Sequence, residues 1–377
     1  MHLLYVPLPG SMSAVGVTGS TSVLSIDSCT FSDGVDVSIR LKGQYSSGLG
    51  IYYFAALQYS IDISICNVLS TRNVGKRGAN FLFLNIGNIN ITNSTSSMAN
   101  YLPQGGALQG TGFLISYRVL DPSIQIPTTK ALLYISDSKF HNNNGTGFHF
   151  QLYEVYNNVT YNVIIKNCSF ERNVNPTGSG VIIAQIAAQV STLSSTSGLE
   201  VLVQDTNFTN HTISEQMSNV QVLNALTAFN LKHLKIVNCT FTMNKCTALQ
   251  ALDSTLYFGG HVIFSGNNGT LGGALKLQGG STFNLMPHTH VQIVNNHAKR
   301  GGGIYVEDQN VGSIDACFFQ TFDLQFRSSN VVITLENNTA DEAGSAVYGG
   351  EIDHCHLYTS RQPILYEVLC FGIYSAF

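Results

Sequence analysis

The chain has no tryptophan and little charge: Asp, Glu, Lys and Arg make up 11% of its 377 residues, well under the roughly 25% of ordinary soluble domains. Its 18 basic residues are outnumbered by 22 acidic ones, giving a formal net charge of −4. Nucleic-acid binding needs a basic face, so no nucleic-acid partner is expected. No stretch reaches the roughly 20 apolar residues of a membrane helix, so no spanning segment is expected. The eight cysteines (Cys29, Cys66, Cys168, Cys239, Cys246, Cys317, Cys355 and Cys370) include no C-x-x-C pair. That excludes zinc-ribbon and thioredoxin-type sites, and the cysteines are too sparse for a disulfide-held mini-domain; their pairing is not readable. Serine-hydrolase and Walker signatures are missing too: Gly301-Gly302-Gly303 is followed by Ile304, not Lys. The N-terminal Met1 to Gly10 has no basic segment and only a short apolar run, a poor secretory signal. The expectation is a chain that is not classically secreted or a piece of a longer one. An abrupt apolar end, Ile364 to Phe377, reads as strand and points the same way.

What is present is 44% hydrophobic residues and 35 glycines. Such a chain must bury apolar surface and is not disordered by composition. Asn, Ser, Thr and Gly supply the polar cover in place of charge, which favours turns and β-structure over helix.

A repeat organises the sequence. Ile26-Asp27-Ser28-Cys29-Thr30-Phe31 returns as Ile135-Ser136-Asp137-Ser138-Lys139-Phe140 and Ile165-Lys166-Asn167-Cys168-Ser169-Phe170. Further copies are Val203-Gln204-Asp205-Thr206-Asn207-Phe208 and Ile236-Val237-Asn238-Cys239-Thr240-Phe241. Ile63 to Val68 reads as a weaker copy. The pattern is aliphatic, any, Asn/Asp/Ser, Cys/Ser/Thr, any, Phe. In a wound stack of strands the aliphatic residue and the Phe point inward from consecutive strands. The residue between them bends the chain through the left-handed region that Asn and Asp tolerate. Stacked about 4.8 Å apart, Asp137, Asn167, Asp205 and Asn238 are expected to form a structural hydrogen-bonded ladder. The Cys/Ser/Thr slot is a small inward position, where free Cys acts as a small hydrophobe.

Two further elements recur. Asn follows Phe by three at Phe140/Asn143, Phe170/Asn173, Phe241/Asn244 and Phe264/Asn267, with Gly34 and His211 as departures. Gly-Gly precedes a small or aliphatic residue at Gly105-Gly106-Ala107, Gly272-Gly273-Ala274 and Gly302-Gly303-Ile304. The clearest full repeats run from Val262 to Val306, Val331 to Asn338 resembles the same strand, and the period is near 30 residues, as in solenoids. The expected fold is all-β: one single-stranded, right-handed parallel β-helix over residues 1–377, clearest from 135 to 350. Loops are expected to project at Ser191 to Gly198 and Asp121 to Thr129. No helical cap is recognisable, which leaves end-to-end self-association open.

The Phe-x-x-Asn and Gly-Gly-Ala-Leu elements resemble the repeats of the polymorphic outer membrane protein family, and Ile-x-Asn-Cys-x-Phe-x-x-Asn resembles coils of the pectin-lyase-like β-helix superfamily. The first resemblance implies surface display and adhesion, although that family's C-terminal transporter barrel is not seen here. The second implies polysaccharide lyase or glycoside hydrolase chemistry.

Ten Asn-x-Ser/Thr acceptors occur, and Asn144, Asn158 and Asn268 are the glycosylation candidates because they fall at expected loops. Asn167 and Asn238 are acceptors only because the repeat writes Asn beside Ser or Thr. His288-Thr289-His290 places two imidazoles on one strand face with His297 near, and His354-Cys355-His356 does the same near Asp353. No further ligand is fixed by spacing, so no metal is expected. Asp137 and Asp205 share the turn slot that Asn fills elsewhere, which reads as structural, and neighbouring Glu307-Asp308 and Asp341-Glu342 diverge on a strand. No catalytic residue and no cofactor are expected. Outward Tyr52, Tyr53 and Tyr305 fit surface filling better than a sugar-binding strip. The expected function is a non-enzymatic extracellular or cell-surface structural or adhesive module contacting glycans or cell-surface proteins. Carbohydrate-active catalysis is the alternative. An ice-binding surface is set aside for want of visible ranks of outward Thr.

Overall fold

The computed structural model describes residues 22–33, 49–52, 61–75, 79–84, 88–101, 112–118, 129–153, 160–175, 180–186, 198–213, 224–307, 319–321 and 331–349. Every regular element among them is a β-strand. Three sheets of ten strands each run the length of the molecule. The first face spans Ser22–Asp27 to Phe319–Thr321, the second Thr30–Ser32 to Val332–Glu336, and the third Leu49–Tyr52 to Val347–Tyr348. The chain visits the faces in turn and advances one strand per circuit, always in parallel register. The described residues form a parallel β-helix of ten coils. Short extra strands pair at one corner, for example Val174–Asn175 with Thr212–Ile213.

Like side chains lie over like. Ile135, Ile165, Val203 and Ile236 are register partners on the first face. Phe140, Phe170, Phe208, Phe241 and Phe264 are partners on the second. All belong to one continuous core. Alternation explains it: on a strand, residues two apart share a face. The five Phe rings stack nearly parallel, with centroid separations of 4.9, 5.2, 4.5 and 4.8 Å. Strand spacing alone thus places aromatic rings at contact distance.

Where the Phe slot holds Ser70 and Ser96, the third face supplies Phe81, Phe83 and Phe113 instead. The register corrects the reading of Ile63 to Val68 as a copy. Ile65, not Ile63, pairs with Ile26, and Asn67 fills the corner slot. The copy is displaced by two residues because a serine stands in the Phe slot.

The Cys/Ser/Thr slot does more than fill space. Ser138 Oγ donates to the Ser136 carbonyl (2.7 Å) and accepts the Ser94 N–H (3.1 Å). Thr206 Oγ1 donates to the Gln204 carbonyl (2.8 Å) and accepts the Cys168 N–H (3.3 Å). A small hydroxyl or thiol thus satisfies backbone groups at a corner the ladder skips.

The Gly-Gly elements stack as well. A Cβ on Gly273 would lie 2.2 Å from the Gly302 carbonyl oxygen, and one on Gly302 would lie 2.2 Å from that of Thr339. Successive coils approach too closely there for any side chain. Gly105-Gly106-Ala107, residues 121–128 and residues 191–197 lie outside the described residues.

Candidate interaction surface

At the corner between first and second faces, Asp137, Asn167, Asp205 and Asn238 hold φ of 52°, 50°, 50° and 51°. Asn167 Nδ2 donates to Asp137 Oδ1 (2.5 Å), and Asn238 Nδ2 to Asp205 Oδ1 (3.2 Å). Asn93 to Asn67 (2.6 Å) and Asn67 to Asp27 (3.0 Å) make a further run. The Asn167 bond, with help from Ser136, holds the Asp137 carboxyl below its usual range. These carboxylates accept bonds that fix the bend, and their side chains lie side by side along the axis rather than converging on a cleft.

The next corner holds a second ladder inside the molecule. Asn143 Nδ2 donates to Asn173 Oδ1 (2.9 Å), and Asn173 Nδ2 to the Phe140 carbonyl (3.0 Å). Asn244, Asn267, Asn296 and Asn338 repeat the scheme with amide-to-amide distances of 2.8, 2.8 and 3.0 Å. All are buried. The spacing of Asn three after Phe marked Asn143, Asn173, Asn244 and Asn267 but not Asn296 and Asn338, which follow Ile293 and Leu335, and their direction was not legible from it. His211 occupies the rank between Asn173 and Asn244. Its ring reaches toward the carbonyls of Phe170 and Asn173 without hydrogen-bond geometry at either nitrogen, and burial pushes it down to about 4.

The residue before each Asn of this ladder is left-handed, and Arg172, Met243, Asn295 and Asn337 among them are exposed. Some are poorly suited to it: Met243 has φ 56° and is 63% exposed. A side chain in that region costs about 1–2 kcal/mol, of which glycine's extra unfolded freedom returns part. Met243→Gly is therefore expected to raise stability by about 1 kcal/mol, read as a higher Tm in thermal melts. An unchanged or lower Tm would show that the methionine packs usefully on its neighbours.

The outer side of the second face is a strip two side chains wide. Its ranks run Thr30/Ser32, Leu69/Thr71, Thr95/Ser97, Lys139/His141, Ser169/Glu171, Asn207/Thr209, Thr240/Thr242, Ile263/Ser265, Gln292/Val294 and Thr334/Glu336, of which Thr71 and Ser97 are buried. Ser97 Oγ donates to Thr71 Oγ1 (2.9 Å) and Thr240 Oγ1 to Asn207 Oδ1 (2.6 Å). These hydroxyl ranks escaped the sequence reading, because three-residue strands give too short an alternation to notice. Lys139, His141 and Glu171 interrupt them, so the strip has no uniform lattice of Thr.

Asn144 and Asn268 are exposed at corners and bridge through their backbones to Val174 and His297. Asn144 Nδ2 is engaged with Asn100 Oδ1 (2.9 Å). Asn158 lies outside the described residues. So do His354, Cys355 and His356.

His288 and His290 do not share a strand face. Pro287 and His288, at φ 58°, form the corner, and the strand starts at His290. His290 instead packs edge-on to His261, 5.8 Å between centroids, and meets Thr334 Oγ1 at 3.2 Å. His297 contacts Thr339 Oγ1 (3.0 Å) and Asp341 (3.4 Å), while Glu342 pairs with Arg300 (2.7 Å). Among the described residues no three His, Cys, Asp or Glu side chains group to hold a metal. Burial pushes the thiols of Cys168 and Cys239 up to about 12, which makes them inert. Tyr305 stacks on Tyr348, 5.5 Å apart at 9°. Among the described residues no helix is long and apolar enough to cross a membrane.

The class this architecture defines is the parallel β-helix, with a largely polar strip outside its second face and ladders at its corners. No family model, curated protein or solved structure matched the chain when it was compared with them.

Proposed function

We propose that the chain is a non-enzymatic structural or adhesive β-helix module of the extracellular space or cell surface, contacting glycans or cell-surface proteins through its second face. The observation that carries this reading is the strip of Ser, Thr and Asn on that face, Thr30/Ser32 to Thr334/Glu336. Short neutral donors and acceptors at strand spacing suit a repetitive, hydroxyl-rich partner. Each contact exchanges a bound water for an equivalent bond, and many weak contacts on one rigid face add up. Strands paired on both sides hold the array in place, so little order is lost on binding. The likeness of its repeats to those of polymorphic outer membrane proteins supports the same role.

The test is binding of the purified chain to a glycan array and to cells, with Thr209→Lys/Thr242→Lys as the variant. An adhesive strip predicts a loss of about tenfold or more in binding at unchanged Tm. Turnover of a polysaccharide into unsaturated or reducing ends by the wild-type chain would sink the proposal in favour of a lyase or hydrolase.

A further inference from the structure

We propose that the outer side of the first face joins two copies of the chain, laid antiparallel about a two-fold axis that passes between the coils of Ile164 and Leu202. This face is separate from the second-face strip, so the pairing goes beyond the adhesive role and leaves that strip open on both copies.

One outward rank of the first face runs Asn90, Tyr134, Ile164, Leu202, Lys235 and Tyr257, each the register partner of the next. The chain neighbours of each, such as Val163 and Ile165 or Val201 and Val203, lie in the core, so these six point away from it. Three consecutive coils thus set Tyr134, Ile164 and Leu202 side by side on the outside. Tyr134 is 39% exposed, and Ile164 and Leu202 are partly exposed. Exposed Lys166, Glu200 and Lys235 border them. Among the described residues no strand packs across this face. An apolar patch with a charged rim marks a contact surface.

The charges of the rim select the occupant and its direction. A sheet can pack face to face on its own copy about a two-fold axis lying along the stack or along the strands. With the axis along the stack, every coil meets itself, and Lys235 lies against Lys235 of the second copy. With the axis along the strands, the order of coils reverses while positions along each strand are kept. Centred on the coil of Ile164 or on that of Leu202, this second arrangement sets Lys166 against Lys166 or Glu200 against Glu200. Centred between them, it opposes no like charges. Ile164 then meets Leu202, Tyr134 meets Lys235, Glu200 meets Asn162 and Lys166 meets Gln204, each pair occurring twice. A lysine over a tyrosine ring is itself attractive. Moved one coil further, the axis sets Leu202 against Lys235 and Tyr134 against Asn284, which loses the aliphatic match. The coils from Asn90 to Tyr257 span about 29 Å, and their strands about 20 Å. That corresponds to on the order of 1,200 Å² buried over both copies, the lower end for a specific pair. The dimer is therefore expected to form reversibly at micromolar concentration.

Sedimentation equilibrium of the full chain from micromolar to millimolar concentration tests this, with Tm as the control for folding. Reversible exchange between monomer and dimer is expected. Tyr134→Lys is expected to weaken the dimer about a hundredfold, tenfold at each of two equivalent contacts. Adding Lys235→Glu to it is expected to restore the dimer. Within one copy these two positions are three coils, or about 14 Å, apart. That exceeds the Debye length of about 8–10 Å, so only contact between copies couples them. Should Tyr134→Lys lower Tm, Lys235→Ala at its exposed position serves instead and is expected to weaken the dimer about tenfold. Hydroxyl-radical labelling of Tyr134 in the wild type is expected to fall as the dimer forms. A chain that stays monomeric throughout, or whose Tyr134 escapes labelling even when dilute, overturns the proposal. So does a dimer indifferent to these substitutions, or one that Lys235→Glu does not restore. Binding of lipid vesicles or glycans through Tyr134 by a chain that stays monomeric gives the face another occupant and overturns it equally.

Discussion

Asn267→Leu is expected to lower stability by about 5 kcal/mol, because it strands several buried polar groups at a cost of about 1–3 kcal/mol each. Asn267 Oδ1 accepts both the Asn244 N–H (3.2 Å) and Asn244 Nδ2 (2.8 Å). Its own Nδ2 serves the Phe241 carbonyl (2.9 Å) and Asn296 Oδ1 (2.8 Å). Leucine matches the volume and supplies none of these bonds. In a stack that contacts only its neighbours, the loss should fracture the molecule locally between flanking coils. Thermal melts and hydrogen exchange check this: a drop of under 1 °C, or exchange unchanged around Asn244 and Asn296, would refute the ladder's energetic role.

The second expectation is acid lability between pH 6.5 and 4. Burial pushes His149 and His211 from the ordinary imidazole value of 6.5 down to about 4. Both are neutral in the fold, and the unfolded chain binds the extra protons. Their neutral forms therefore contribute fully above pH 6.5, and the contribution is lost as pH falls toward 4. Each shift corresponds to about 3 kcal/mol. The Arg72 bond, helped by Ser32, holds Asp33 at about 2 despite its exposure, so that pair stays ionised through the window. Denaturant melts across this range are expected to steepen below pH 6. His211→Asn, which restores the rank between Asn173 and Asn244, should flatten about half of that slope. An unchanged profile in the variant would mean that the ring finds water or a carbonyl partner.

The fold was legible because its strongest signal, an aliphatic residue five positions before Phe, comes from two inward positions separated by one corner. Asp137, Asn167, Asp205 and Asn238 were legible as a rank for the same reason, since one left-handed residue sits in that slot in each copy. What escaped is what depends on direction or on neighbours in other coils. Asn143 and Asn267 look like any loop asparagines until the coil turns them inward. The second-face hydroxyls are separated by one residue within a strand, but their partners lie 23 to 44 positions away, beyond any local pattern. Ile63 to Val68 was misaligned because Ser70 hides the Phe slot.

Because each strand pairs only with those of the coil before and the coil after it, the stack has no preferred number of rungs. Duplicating or excising one register-matched segment, such as the 23 residues that separate Asn244 from Asn267, would leave each junction chemically equivalent and change its span by about 4.8 Å. The length of the stack is thus a quantity that unequal recombination can set, while the chemistry of each lateral surface is edited separately, one side chain at a time.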